Sequence, residues 1–147
     1  MMYMHHDYLS AACACTALRK AARAVGKAYD DALAPAGMTT AQFSILRHVS
    51  RGDAVPLSRL AEKLVMDRSS LYRAVAPIEA RGWVVLSAGP GKAKLAALTD
   101  AGREAMAKAE PYWAEAQKHV VGTMGDVWSG LEFGLKALTR VAQEAHR

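Results

Sequence analysis

The sequence predicts a mostly α-helical chain carrying one small β-hairpin. Apolar residues recur at helical spacing along most of its 147 residues. Between residues 57 and 78 two such stripes follow each other across a short polar turn. A Gly-Pro-Gly turn at 89–91 then separates two short runs able to pair as strands.

Leu18, Ala22, Val25, Tyr29 and Leu33 mark one face of a long first helix, which Pro35 and Gly37 bring to an end. Thr39 and Gln42 have capping-box spacing, so the next helix starts there. Its apolar positions Phe43, Leu46 and Val49 precede a stop at Gly52. Leu57, Leu60, Ala61 and Leu64 give a short third helix its inner stripe.

Asp67 can cap the following helix by accepting from the backbone N–H of Ser69 or Ser70. Leu71, Ala74, Val75 and Ile78 form the inner stripe of that helix; Arg68, Ser69, Tyr72, Arg73 and Ala76 face outward. Pro77 removes the donor that the Arg73 carbonyl would use, so a kink is expected there at a cost near ~3 kcal/mol unless packing offsets it. Gly82 suits a left-handed terminator. Trp83, Val84, Val85 and Leu86 then form a strand, and 94–98 return as its partner. Thr99 caps a helix running past Trp113 to about Val121, where 122–125 break it. Asp126 starts the last helix, through Leu131, Leu135, Leu138 and Val141. There is no internal repeat, low-complexity tract or linker, so 1–147 reads as one unit.

Two short helices, a tight turn and a hairpin in this order spell a winged helix-turn-helix, and with it DNA binding. The outer face of the second helix has the required chemistry: small hydroxyls for close approach, arginine for guanine edges or phosphate, and an aromatic for thymine methyls. A hairpin tip bearing Lys92 and Lys94 makes a small basic wing. Charge placement agrees. The chain carries a net +5, with Lys and Arg against Asp and Glu at 4 to 3 in residues 1–46, 10 to 5 in 47–103 and 5 to 6 in 104–147. The excess therefore sits on the helix pair and hairpin, as for a polyanion-binding module between two nearly neutral arms.

Other classes are poorly supported. No apolar run reaches the roughly 18 residues of a membrane span, and residues 1–7 have no signal-peptide core, so a cytoplasmic location is expected. No Gly-rich phosphate loop, nucleophile elbow or zinc-ribbon spacing is present, and neither cofactor nor enzymatic activity is expected. His5, His6, Cys13 and Cys15 are a weak metal set, and no metal is expected. A thiol peroxidase acting through Cys15 is the best enzyme alternative, and would consume hydroperoxide catalytically. A helical interaction module is the best alternative without DNA, and would show no salt-sensitive DNA binding. The apolar arms need covering, and a two-fold dimer would place two reading helices about one DNA turn apart, opposite an inverted repeat.

Five segments in order, Thr39-Thr40-Ala41-Gln42-Phe43, Leu57-Ser58-Arg59-Leu60-Ala61, Asp67 to Arg73, Glu79-Ala80-Arg81-Gly82-Trp83-Val84 and Leu98 to Arg103, resemble the MarR family of bacterial transcriptional regulators. The resemblance implies a homodimeric winged-helix repressor. Residues 38–100 would form the DNA-binding part and 1–37 with 101–147 the helical dimerisation part. DNA-facing residues would be Ser58, Arg59, Arg68, Ser69, Ser70, Tyr72, Arg73, Lys92 and Lys94. Many members carry Asp-x-Arg at the wing tip; here it reads Gly-Pro-Gly-Lys-Ala-Lys at 89–94, which favours lysine contact with phosphate over minor-groove reading.

The resemblance also implies release from DNA by a small ligand or an oxidant. For an aromatic or organic acid, Arg19, Arg23 and His48 offer cationic or hydrogen-bonding groups, and Phe43, Tyr112 and Trp113 offer aromatic walls. For an oxidant, the segment 15–24 resembles the first helix of the organic-hydroperoxide-sensing branch, with Cys15 at its reactive cysteine. Tyr29 fits a tyrosine of that branch, whereas Thr40 replaces another. Cys13 and Cys15, two apart on a helix, diverge by about 200°, so a disulfide between them needs local unwinding. Arg19 and Arg23 are placed to lower a nearby thiol pKa.

Overall fold

The computed structural model describes residues 8–145. Six helices and a three-stranded antiparallel sheet follow in the order α1 (Ala14–Leu33), α2 (Thr40–Val49), β1 (Val55–Pro56), α3 (Leu57–Leu64), α4 (Arg68–Ala80), β2 (Val84–Ala88), β3 (Lys94–Leu98), α5 (Asp100–Met124) and α6 (Val127–Glu144). A single 3-10 turn, Ala34–Ala36, closes α1, and Gly37 follows it at φ 69°. The mostly helical winged helix-turn-helix read from the sequence is the fold observed.

Local chemistry accounts for most boundaries. Thr39 Oγ1 accepts from the Gln42 N–H at 3.1 Å while Gln42 Oε1 accepts from the Thr39 N–H at 3.0 Å, a reciprocal cap that starts α2. Thr99 Oγ1 caps α5 by accepting from the Gly102 N–H at 3.0 Å. Leu33, Phe43, Leu46, Val49, Leu57, Leu60, Leu71, Val75 and Ile78 are all under 2% exposed, so the apolar faces of α2, α3 and α4 share one core with the end of α1. Trp83, Val84 and Ala96 extend that core into the sheet.

The structure adds one strand and moves one helix end. Strand β1 was not foreseen: Val55 pairs with Ala96 and Pro56 with Leu95, giving the order β1-β3-β2. Two residues carry no readable alternation, and proline is tolerated because the strand is at the edge. Pro77 lies inside α4, which runs as one helix from Arg68 to Ala80 with Val75 and Ile78 buried on either side of the proline. Gly122 does not break α5, which runs to Met124 and stops at Gly125 (φ 57°). Asp126 starts α6 as expected, at its N-cap position, without a cap hydrogen bond from its side chain.

The two halves of the chain meet at Gly102. A Cβ there would lie 2.0 Å from the Trp83 carbonyl oxygen and 2.9 Å from Leu98 Cδ1. The first turn of α5 therefore rests directly on the backbone of Trp83, the residue that leads into β2. Around this contact, Thr99 donates through its N–H to the Trp83 carbonyl and through its hydroxyl to the Gly82 carbonyl, at 3.1 and 2.5 Å. Arg81 donates to the Gly37 carbonyl and stacks its guanidinium 3.9 Å from the Trp83 ring centroid. The end of α4 is thereby tied to the turn that leaves α1.

Candidate nucleic-acid interface

Helix α4 presents the outward face that its periodicity predicts. Arg68, Ser69, Arg73 and Ala76 are exposed, and Ser70 and Tyr72 are half-buried. Asp67 organises the first turn. One carboxylate oxygen accepts from the Ser70 N–H and the Ser69 hydroxyl, both at 2.7 Å, and the other accepts from the Ser70 hydroxyl at 2.8 Å. These donors, the Ser70 N–H foremost, lower its pKa from 3.8 to about 2. The cap therefore stays ionised throughout the neutral range. Arg73 Nη2 reaches back to Ser70 Oγ at 3.4 Å, which steadies the guanidinium over the same turn.

The wing lies against this helix. Gly91 adopts φ 65°, the conformation that lets the chain reverse, and the Gly89 N–H donates to the Ala93 carbonyl at 2.8 Å. Lys92 and Lys94 are exposed, and Lys94 Nζ sits 5.6 Å from the Tyr72 ring centroid. Ser58 and Arg59 are exposed in the first turn of α3. Arg59 also borders a shallow depression of about 400 Å³ with His48, Arg51 and Lys63. Among the described residues these four make no ion pair. Arg51 and Lys63 were not picked out from the sequence; the only signal was the i, i+4 spacing of Arg59 and Lys63 on one face of α3.

A MarR family profile matches residues 36–94. The crystal structure of the M. tuberculosis transcriptional regulator MosR in complex with DNA is 35% identical, over 92% of this chain and 100% of that one, with TM-score 0.86. A second crystal structure of M. tuberculosis MosR gives 36%, 90%, 96% and 0.79 for the same quantities. A MarR family regulator from Rhodococcus sp. RHA1 gives 25%, 83%, 89% and 0.73. No curated protein matches. The chain belongs to the MarR family. As a MarR-family protein it is a DNA-binding transcriptional regulator, and that family consists of regulators rather than enzymes.

In this MarR-family chain the candidate effector residues divide into two groups. Phe43 and Trp113 stack at 5.7 Å and 25°, and the Arg47 guanidinium lies over both rings, 5.9 and 4.5 Å from their centroids. With Thr40, Ser44, His48 and Arg51 they line a cavity of about 340 Å³ between α2 and α5. His48 Nδ1 is 2.8 Å from the Ser44 carbonyl, so it carries the proton and leaves Nε2 as the outward atom. Arg19, Arg23 and Tyr112 do not line this cavity; all three are on exposed helix faces. The arginines that do line it are Arg47 and Arg51, which only the packing of α2 on α5 reveals.

Both cysteines are exposed free thiols. Cys13 is not helical: it is the N-cap of α1, at φ −60° and ψ 116°. Hydrogen bonding from Thr16, first from its side chain and then from its backbone, lowers the Cys13 thiol pKa, with a smaller contribution from the Cys15 backbone. Tyr29 donates to Gln117 Oε1 at 2.5 Å. It lies 14 residues along α1 from Cys15, about 21 Å at helical rise, so the two do not meet within one chain. His5 and His6 lie outside the described residues. Among those described, no group of three His, Cys, Asp or Glu side chains is arranged for a metal, and no helix is long and apolar enough to cross a membrane.

Proposed function

We propose that this regulator binds an inverted-repeat DNA site as a homodimer, represses transcription from it, and is released by a small aromatic or organic acid. The observation that carries this reading is the exposed, capped and basic outer face of α4 beside a lysine-bearing wing. Arg68, Ser69, Ser70, Tyr72 and Arg73 would enter the major groove. Ser58, Arg59, Lys92 and Lys94, joined by Arg51 and Lys63, would follow the phosphate backbone. The similarity to MosR crystallised with DNA supports the same surface.

Replacing Arg73 by alanine is expected to cost about 1–3 kcal/mol of site binding and to relax sequence preference at one position. Lys92→Ala should instead weaken all duplexes alike and make the salt slope shallower by about 1. Fluorescence-anisotropy titrations over a range of salt concentrations separate the two. Equal loss of specificity in both variants would contradict these roles.

The dimerisation part would comprise 1–37 and 101–147. Helix α6 buries none of its residues, and Val127, Leu131, Phe133, Leu135, Leu138 and Val141 are all exposed. Leu18 and Val25 of α1 are exposed too, and between α1, α5 and α6 lies an apolar groove of about 670 Å³. An apolar surface this continuous calls for a protein cover, and a second copy of the same helices provides one.

The effector would occupy the Phe43–Trp113 cavity, with Arg47 and Arg51 toward its carboxylate. Its volume falls within the usual range of small-molecule sites, about 300–1,000 Å³. A second reading, a hydroperoxide sensor acting through Cys15, is favoured by the exposure of both thiols and the lowered pKa of Cys13. Because Cys13 lies outside the helix, joining the two sulfurs would unwind only the first turn of α1. The redox reading predicts that Cys15→Ser still binds DNA but is no longer released by organic hydroperoxide. Release of wild type by aromatic acids alone would instead select the ligand reading.

A further inference from the structure

We propose that Ser69 reads the DNA site as a hydrogen-bond acceptor, selecting a base that presents an amino group in the major groove, cytosine or adenine. The proposal rests on the DNA-reading role of α4 and specifies what one residue of that helix can recognise.

The argument is an accounting of protons. Asp67 is an ionised carboxylate and can only accept, so the 2.7 Å contact to Ser69 Oγ and the 2.8 Å contact to Ser70 Oγ must both use serine protons. A hydroxyl has one proton and two lone pairs. With that proton committed to Asp67, Ser69 offers only lone pairs to whatever lies outside. Turning the proton outward would break a charge-assisted hydrogen bond, about twice as strong as a neutral one. The negative carboxylate directly behind Ser69 also disfavours an approaching carbonyl or phosphate oxygen.

In the major groove, cytosine N4 and adenine N6 are donors, whereas guanine O6 and N7 and thymine O4 are acceptors. Ser69 can therefore pair with the first two, and meets the others lone pair against lone pair. Ser70 is less suited to this role: it is half-buried, and its oxygen already faces Arg73 Nη2 at 3.4 Å. Arg73 carries donors only, so it complements the acceptor edge of guanine. One turn of α4 then presents an acceptor and a donor side by side, which is a two-letter code rather than a general attraction to the groove.

The test uses full-length protein and duplexes that it enriches from a random pool. Wild type should show a half-site position confined to cytosine or adenine on one strand. In Ser69→Ala that position alone should relax, with discrimination falling by up to about tenfold, the range of one hydrogen bond. Asp67→Ala removes both carboxylate oxygens, the cap among them, and leaves the Ser69 proton without its acceptor and able to point outward. That variant should admit guanine or thymine at the same position. Purine in place of adenine, or 2-pyrimidinone in place of cytosine, removes the amino group and should weaken wild type while leaving Ser69→Ala indifferent.

A wild-type preference for guanine or thymine at the position that Ser69→Ala relaxes would overturn the proposal. So would a selected site that Ser69→Ala leaves unchanged, or an Asp67→Ala variant that keeps the cytosine-or-adenine restriction. If wild type enriches no sequence at all, the DNA-reading assignment itself fails. Enrichment of a defined site without a Ser69 effect removes only the acceptor rule.

Discussion

Leu131→Glu combined with Leu138→Glu is expected to yield a folded monomer that has lost about 10³-fold or more in binding to a two-half-site duplex. That factor is the lower end of the gap between specific and non-specific DNA binding. Leu131 and Leu138 lie seven residues apart on one face of α6, 42% and 39% exposed in the single chain. Neither is in the core around Phe43 and Leu71, so the winged module should keep its structure. In a two-fold dimer each glutamate would be placed, unpaired, in an apolar contact, and the same charge would enter from the partner. Sizing measurements at micromolar concentration and anisotropy titrations on single and paired half-sites check both parts. A double variant that still elutes as a dimer with full affinity would show that α6 does not form the interface.

The second large effect concerns the junction. Gly102→Ala is expected to destabilise the protein by about 3 kcal/mol or more, because its methyl group would fall 2.0 Å from the Trp83 carbonyl oxygen. Main chain gives way poorly here, since that carbonyl also accepts from the Thr99 N–H. The displacement would move α5 away from the sheet and with it the whole arm. Gly122→Ala provides the contrast. Nothing lies within 4 Å of a Cβ at that helical position, so the change should stabilise by about 0.5–1 kcal/mol. Denaturant midpoints for the two variants should therefore shift in opposite directions. A neutral Gly102→Ala would mean that α5 is free to move relative to the winged module.

Much of the fold could be read from short-range chemistry. The Thr39–Gln42 box, the Asp67 and Thr99 caps, and the left-handed Gly37 and Gly82 are each set by residues within a few positions of one another. The outer face of α4 was legible for the same reason, because a 3.6-residue repeat assigns sides without knowledge of any neighbour. The continuity of α4 through Pro77 was not legible in the same way, because the proline's cost is local while the burial of Val75 and Ile78 comes from other helices. Strand β1 was hidden for a related reason, since two residues become a strand only when β3 is beside them.

The candidate effector cavity shows the limit most clearly. Arg19 and Arg23 lie near the cysteines in sequence and carry the cationic groups an acid would need, yet α1 turns both to its exposed side. Arg47, an ordinary helix arginine in sequence, is held over the Phe43 and Trp113 rings. No periodicity shows that Phe43 and Trp113, seventy residues apart, stack face to face.

Helix placement, caps, the basic centre and the reading face of α4 were thus inscribed in the order of residues, because each depends on neighbours one or two turns away. Which arginine joins the aromatic pair, where Gly102 must stay bare, and which apolar face of α6 lies open were settled by packing between distant segments. Those outcomes depend on the close approach of surfaces that the chain order does not list side by side.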